Sequence, residues 1–143
     1  MIRTSKAVWN GNLKDGNGVM VVGDGRYEGP FTHGSRFDTA DGTNPEELIG
    51  AAHAGCFSMF LAALLAGDGY TPNRVSTTAK VHLGTVDGAP TIHTIELFCE
   101  ADVPGISDGD LLEYGEKAKE GCPVSKALAA VNVITLDLKS AAA

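Results

Sequence analysis

The longest apolar stretch of the chain extends from Leu48 to Ala66 and contains no charged residue when histidine is counted as neutral. Asn44 and Pro45 before it are typical of a helix start, and Gly67 and Gly69 after it favour a helix end. A helix that is apolar on all sides is either buried or membrane-spanning. Its many Gly and Ala residues, with no Lys or Arg beside either end, favour one central helix enclosed by the rest of the chain.

Strand-like segments bounded by turn residues predict short strands before the helix. Glycine-rich turns separate these strands, so we expect a small antiparallel meander. A loop at 30–35 and a short extended segment at 36–38 would lead from the meander into the helix. The three expected strands lie at 5–10, 19–22 and 26–28.

The chain after the helix predicts two longer strands near 75–83 and 95–103, separated by a turn. A second helix is expected from Ser107, its N-cap, to Glu120. A short third helix would open at Cys122-Pro123, and residues 131–139 would close the chain as a strand. Because βαβ alternation is absent, we predict the α+β class: an antiparallel sheet around a long buried central helix, in a single domain of residues 1–143.

Length, charge and cysteine count disfavour several classes of function. A chain of 143 residues is long enough to bury a core, and its net charge of −7 disfavours nucleic acid or an anionic membrane as a partner. The N-terminal residues show no apolar run of signal-peptide length, so we expect a cytoplasmic protein. Three cysteines without a CxxC pair disfavour a disulfide framework or a four-cysteine zinc site. Reduced thiols are the better expectation.

The three cysteines occupy different kinds of position. Cys99 lies on the apolar face of an expected strand and is assigned to the core. Cys122 stands at a helix start, where free N–H groups favour a thiolate. Cys56 lies about three turns into the central helix, where a small buried hydrophobe is the commoner role. A reactive Cys56 would need a cation from elsewhere in the fold, and Arg36, held by a glutamate of the first helical turn, is the first candidate.

His53 lies three residues before Cys56 and allows several roles. It would serve as the base of a Cys–His hydrolase, or join Cys56 and Cys122 as a metal ligand. A core histidine bonded to the backbone or to a neighbouring side chain is the commoner case. The sequence has no HExxH, no GxSxG and no glycine-rich phosphate loop.

Two cysteine motifs lie about 66 residues apart: TNPEELIGAAHAGCFSM around Cys56 and KAKEGCPVSKAL around Cys122. Together they closely resemble the OsmC branch (osmotically inducible protein C) of the OsmC/Ohr peroxidases, and the likeness covers essentially the whole chain. The resemblance implies a tightly intertwined homodimer that reduces organic hydroperoxides without a metal or other cofactor. It maps the attacking cysteine to Cys56, the resolving cysteine to Cys122, and their arginine and glutamate partners to Arg36 and Glu46.

The implied chemistry is consistent with the residues. A thiolate attacks the O–O bond and becomes a sulfenic acid, which condenses with a second thiol. An external dithiol, with a lipoyl protein as one candidate, would reduce the disulfide. Apolar neighbours of Cys56 (Phe57, Met59 and Phe60) would favour an organic peroxide. The alternatives are a small stress-response dimer that binds a hydrophobic ligand without turnover and, third, a Cys–His hydrolase.

Helix geometry adds one expectation about the site. Ten residues separate Glu46 from Cys56, so on a straight helix they lie roughly 15 Å apart along the axis and about 80° apart around it. One arginine barely bridges that gap within a subunit. Antiparallel packing of the central helices of two subunits would close it. We therefore expect a composite site at a dimer interface, with Arg36 held by a glutamate of the subunit that does not own the cysteine.

Overall fold

The computed structural model describes residues 1–141, and its mixed helices and strands confirm the predicted α+β class with a central helix. By their internal contacts these residues form two compact units that divide between Leu48 and Ile49. In chain order the elements are β1 (Ser5–Asn10), β2 (Asn17–Val22), β3 (Tyr27–Thr32), α1 (His33–Phe37), α2 (Pro45–Gly67), β4 (Arg74–Val86), β5 (Ala89–Asp102), α3 (Asp108–Gly121), α4 (Pro123–Ala127) and β6 (Val133–Ser140).

The first unit contains the predicted antiparallel meander. Strand β2 pairs with β1 on one side and with β3 on the other. The rings of Trp9 on β1 and Phe31 on β3 meet across the middle strand β2, with their centroids 5.0 Å apart. Gly18 makes room for this aromatic pair, since a Cβ at that position would come within 2.6 Å of the Phe31 ring. The meander therefore carries a small aromatic cluster on one face.

Residues 33–37 form helix α1, so the prediction of a loop at 30–35 and an extended segment at 36–38 is wrong. Thr32 and Ser35 form a capping box around the helix start. The Ser35 amide donates to Thr32 Oγ1 at 3.0 Å, and the Thr32 amide donates to Ser35 Oγ at 2.9 Å. A helix of 5 residues is too short to show a hydrophobic period, so these caps define it instead.

Helix α2 begins and ends at the predicted signals. Asn44 Oδ1 accepts a hydrogen bond from the Glu47 amide at 2.8 Å, as expected of an N-cap. One side of the helix is buried in the second unit, where His53, Phe57, Leu61 and Leu65 recur at every fourth residue.

The opposite side of α2 is exposed within the single chain, so the predicted enclosure holds for one face only. A single sheet packs against one side of a helix, which leaves the other side without cover. Length and apolar composition alone would allow the helix to cross a membrane. The exposed side is uncharged and consists of Ala51, Ala52, Gly55, Met59, Ala63 and Ala66.

The second unit is built on the sheet β4-β5-β6. Strands β4 and β5 are antiparallel, but β6 pairs with β5 in parallel, so this sheet is mixed and not wholly antiparallel as predicted. The alternation of apolar residues that predicted β6 does not specify the direction of a strand. The central strand β5 contributes Ile95, Leu97, Cys99 and Ala101 to the core, which confirms the assignment of Cys99.

Candidate active site

Cys122 lies at the junction of α3 and α4, where it is the N-cap of α4. Its Sγ accepts a hydrogen bond from the Ser125 amide at 3.3 Å and lies 3.3 Å from Ser125 Oγ. The side chain is fully buried. Gly121 allows this junction to approach α2, because a Cβ there would come within 2.7 Å of the Phe60 ring. The predicted helix start at Cys122-Pro123 is confirmed.

Cys56 is half-buried on α2, and it lies near enough to Cys122 for each thiol to affect the pKa of the other. Burial raises the pKa of Cys56; the Val124 amide opposes this effect, and Cys122 adds to it. Burial also acts to raise the pKa of Cys122, but hydrogen bonds from the Ser125 hydroxyl and amide, together with smaller effects of Cys56 and the Val124 amide, outweigh it. The pKa of Cys122 therefore lies below its ordinary value, and within this chain Cys122 is the better thiolate.

His53 lies on the buried face of α2 and faces Ser125, the residue that contacts Cys122. Its Nε2 is 2.8 Å from Ser125 Oγ, and the residue is 0% exposed. Within residues 1–141 its Nδ1 has no hydrogen-bond partner. Burial lowers the pKa of His53, which favours the neutral ring.

Arg36 and Glu46 form an ion pair in the first unit. The Arg36 Nη2 and Nε atoms donate to the two carboxylate oxygens of Glu46 at 2.7 and 3.2 Å. This bidentate geometry fixes the plane of the guanidinium. Glu46 is only 8% exposed, whereas Glu47 instead accepts a hydrogen bond from Thr43 Oγ1 at 2.9 Å. Of the two glutamates in the first turn, Glu46 is therefore the one that orients Arg36.

A groove with a volume of about 240 Å³ lies next to Arg36 in the first unit. Its walls are mostly apolar and aromatic, which suits the organic part of a small ligand. The residues that line it are Trp9, Leu13, Phe31, Thr32, His33, Arg36 and Phe37.

The structure thus brings Cys56 together with Cys122 in the second unit, and Arg36 together with Glu46 in the first. Phe57, expected beside the reactive cysteine, is fully buried in the core, whereas Met59 is 77% exposed. A Phe57 that packs into the core is not available to a substrate, so this part of the expected apolar surface is wrong.

The sequence analysis did not single out Ser125, although the structure places it in contact with Cys122. Its position three residues after an N-cap is the signal that identifies it, because that residue's amide faces the capping side chain. His53 Nε2 faces Ser125 and not a thiol. Among residues 1–141, no three His, Cys, Asp or Glu side chains are grouped as metal ligands. The suggested roles of His53 as base of Cys56 or as metal ligand therefore have no geometric support.

Comparison with known proteins identifies the family of this chain. The family described as OsmC-like protein matches residues 38–137. Peroxiredoxin OsmC of Escherichia coli K12 is 43% identical over 139 residues, which cover 96% of this chain and 97% of that protein. An organic hydroperoxide resistance protein of Xanthomonas axonopodis pv. citri is 36% identical over 99 residues, covering 68% of each chain.

A similar fold is found in a crystal structure of an OsmC-like protein from Mycoplasma pneumoniae. It superposes with a TM-score of 0.77 over 99% of both chains at 18% identity, a likeness of fold alone. The family match and the extensive identity to the E. coli protein agree with each other. The chain belongs to the OsmC-like family.

Proposed function

We propose that this protein is a thiol-dependent peroxidase that reduces organic hydroperoxides to alcohols. The observation that carries the proposal is that Cys56 and Cys122 lie near enough for each thiol to affect the pKa of the other. A disulfide requires two cysteines that lie close together, so this mutual effect supports a Cys56–Cys122 pair. The names of the E. coli and Xanthomonas relatives support the same chemistry.

The proposed cycle has three steps. The Cys56 thiolate attacks the outer oxygen of ROOH, the O–O bond breaks, and the alkoxide leaves and takes up a proton to become the alcohol. Cys56 is now a sulfenic acid, and attack by Cys122 on its sulfur forms the disulfide and releases the oxygen as water. An external dithiol, with a lipoyl protein as one candidate, then reduces the disulfide by exchange. A cytoplasmic location, where such dithiols are maintained, is part of the proposal.

The first step needs a cation, because the surroundings of Cys56 within its own chain raise the pKa of its thiol. Arg36 is the proposed source, held by Glu46. Both belong to one chain, and helix geometry separates Glu46 from Cys56 by roughly 15 Å along α2. We therefore propose a homodimer in which the Arg36–Glu46 pair of one subunit serves Cys56 of the other. The uncharged exposed side of α2 would be the surface that the dimer buries.

Replacing Arg36 by Met should raise the pKa of Cys56 by about one pH unit or more, because a cation that favours the thiolate is lost. The measurement is the far-ultraviolet absorbance of the thiolate against pH, in a Cys99→Ser, Cys122→Ser background that leaves one thiol. Arg26→Met is the matched control and should not shift the curve. If Arg36→Met leaves the curve unchanged as well, Arg36 is excluded as the source of the charge.

The proposed substrate class follows from the groove beside Arg36. Its aromatic and aliphatic walls would hold the organic group of a hydroperoxide, and Arg36 is the charged residue of its lining. Hydrogen peroxide has no group that would fill such a groove.

Mass spectrometry after addition of one equivalent of cumene hydroperoxide tests the function directly. We expect the intact mass to fall by two hydrogens, a peptide pair linked through Cys56 and Cys122, and repeated turnover when a dithiol is supplied. The alternative, a dimer that binds a hydrophobic ligand without turnover, predicts an unchanged mass. Oxidation at Cys99 in place of this pair would also exclude the proposed mechanism.

A further inference from the structure

A chain of polar atoms leads from His53 through Ser125 to the sulfur of Cys122, and His53 and Ser125 take no part in the cycle as written above. His53 Nε2 lies 2.8 Å from Ser125 Oγ, and Ser125 Oγ lies 3.3 Å from Cys122 Sγ. All three residues are buried, with Ser125 at 6% exposure the most accessible. A histidine inside an otherwise apolar helix face carries a desolvation cost, which its hydrogen bond to Ser125 offsets only in part.

The unpartnered Nδ1 of His53 indicates which atoms donate and which accept along this series of hydrogen bonds. A neutral imidazole carries one proton, on either Nδ1 or Nε2. A proton on Nδ1 would leave a buried N–H without an acceptor, which is the rarer situation in proteins. With the proton on Nε2, His53 donates to Ser125 Oγ, and the Ser125 hydroxyl is then free to donate to Cys122 Sγ.

We propose that His53 is a positioning residue that orients the Ser125 hydroxyl toward Cys122 and thereby favours the Cys122 thiolate that carries out the resolving step. The sulfur then receives two hydrogen bonds from Ser125, one from the amide and one from the hydroxyl. Hydrogen bonds to the charged form of an acid stabilise that form. The direction of the pKa shift of Cys122 agrees with this arrangement.

The inference rests on the proposed function only for the use of this thiolate. In the resolving step, the thiolate sulfur attacks the sulfenic sulfur of Cys56, the S–S bond forms and the S–O bond breaks. The departing hydroxide takes up a proton, which balances the one that Cys122 had already released to solvent, and water is the net product. No oxidant or reductant beyond the peroxide is involved.

The role of His53 is tested first without peroxide. In a Cys56→Ser, Cys99→Ser background, the rate of alkylation by iodoacetamide against pH reports the pKa of Cys122 alone. We expect Ser125→Ala and His53→Leu each to raise the midpoint by about one pH unit, through loss of a hydrogen bond to a charged sulfur. His53→Gln, whose amide N–H can replace Nε2–H, should restore much of the shift. The matched control is Ser58→Ala, which removes a hydroxyl elsewhere on α2 that is hydrogen-bonded to Thr77 of β4.

Two results would overturn the inference. One is an unchanged midpoint in Ser125→Ala, which removes a single buried oxygen atom and decides the matter if His53→Leu does not fold. The other is a midpoint in His53→Gln as high as in His53→Leu, which would mean that His53 only fills space.

A second measurement, on the chain with all its cysteines, follows sulfenic acid and disulfide by rapid mixing with one equivalent of cumene hydroperoxide. Ser125→Ala should slow disulfide formation about tenfold, in line with the loss of one hydrogen bond to the thiolate. Sulfenic acid formation should change much less. Equal slowing of both steps would contradict a role specific to Cys122. If the parent protein does not react with peroxide at all, the proposed function fails, while the alkylation result still decides the role of His53.

Discussion

Replacing Cys56 by Ser should reduce peroxide consumption to below about one-thousandth of the parent rate, because the attacking nucleophile is lost. Serine is nearly isosteric but is not ionised at neutral pH and does not form a sulfenic acid. The decay of cumene hydroperoxide with excess dithiol measures the effect. Normal turnover by the Cys56→Ser variant would show that Cys56 is not the attacking residue.

Replacing Cys122 by Ser should give a different defect. The variant should consume one equivalent of peroxide and then stall, with Cys56 as sulfenic acid or, in excess peroxide, as sulfinic acid. Cys99→Ser is the matched control: it removes a core thiol, so activity should persist with a loss of stability of about 1 kcal/mol. A Cys122→Ser variant that stays fully reduced would exclude the assigned order of attack and resolution.

The second large effect is expected from mixed dimers of two defective variants. Cys56→Ser and Glu46→Gln subunits, unfolded and refolded together, should regain activity that neither has alone. In a composite site, the heterodimer joins the intact Cys56 of one subunit to the intact Arg36–Glu46 pair of the other. Random reassociation makes half of the dimers mixed, with one complete site each, so about a quarter of the parent activity should return.

Each pure variant, refolded alone in parallel, is the control for this experiment. Native mass spectrometry establishes that heterodimers have formed. Heterodimers without activity would place Cys56 and Glu46 of one site in the same subunit, and a refolded protein that is monomeric would contradict the proposed dimer itself.

The sequence predicted those parts of the fold that have a long period or a strong cap. Helix α2 was recognisable from Asn44-Pro45 and its apolar length, and α3 from Ser107, whose side chain accepts a hydrogen bond from the Asp110 amide. Helix α1 was not recognisable from the sequence, because two side-chain caps define it without any periodicity. The parallel pairing of β6 could not be predicted either, since alternation in one strand contains no information about its partner.

The candidate site shows a similar division. The two cysteine motifs identified Cys56 and Cys122 through resemblance. The position of Cys122 at a helix start also indicated its thiolate character. The contact between His53 and Ser125 joins residues 72 positions apart, so only the tertiary fold reveals it. The choice between Glu46 and Glu47 likewise depends on which carboxylate faces Arg36, and both occupy the same first turn of α2.

The parallel β5–β6 pair has a consequence for how the second unit folds during synthesis. Strand β5 is the middle strand of its sheet, and one of its edges is completed only by residues 133–140 of β6. Those partners lie roughly forty positions further along the chain, and non-local pairing of this kind is slow to form. During synthesis, β5 therefore has an open edge until residues 133–140 have left the ribosome. An apolar strand with an open edge is prone to aggregation, so the newly made chain is most vulnerable just before its sheet closes.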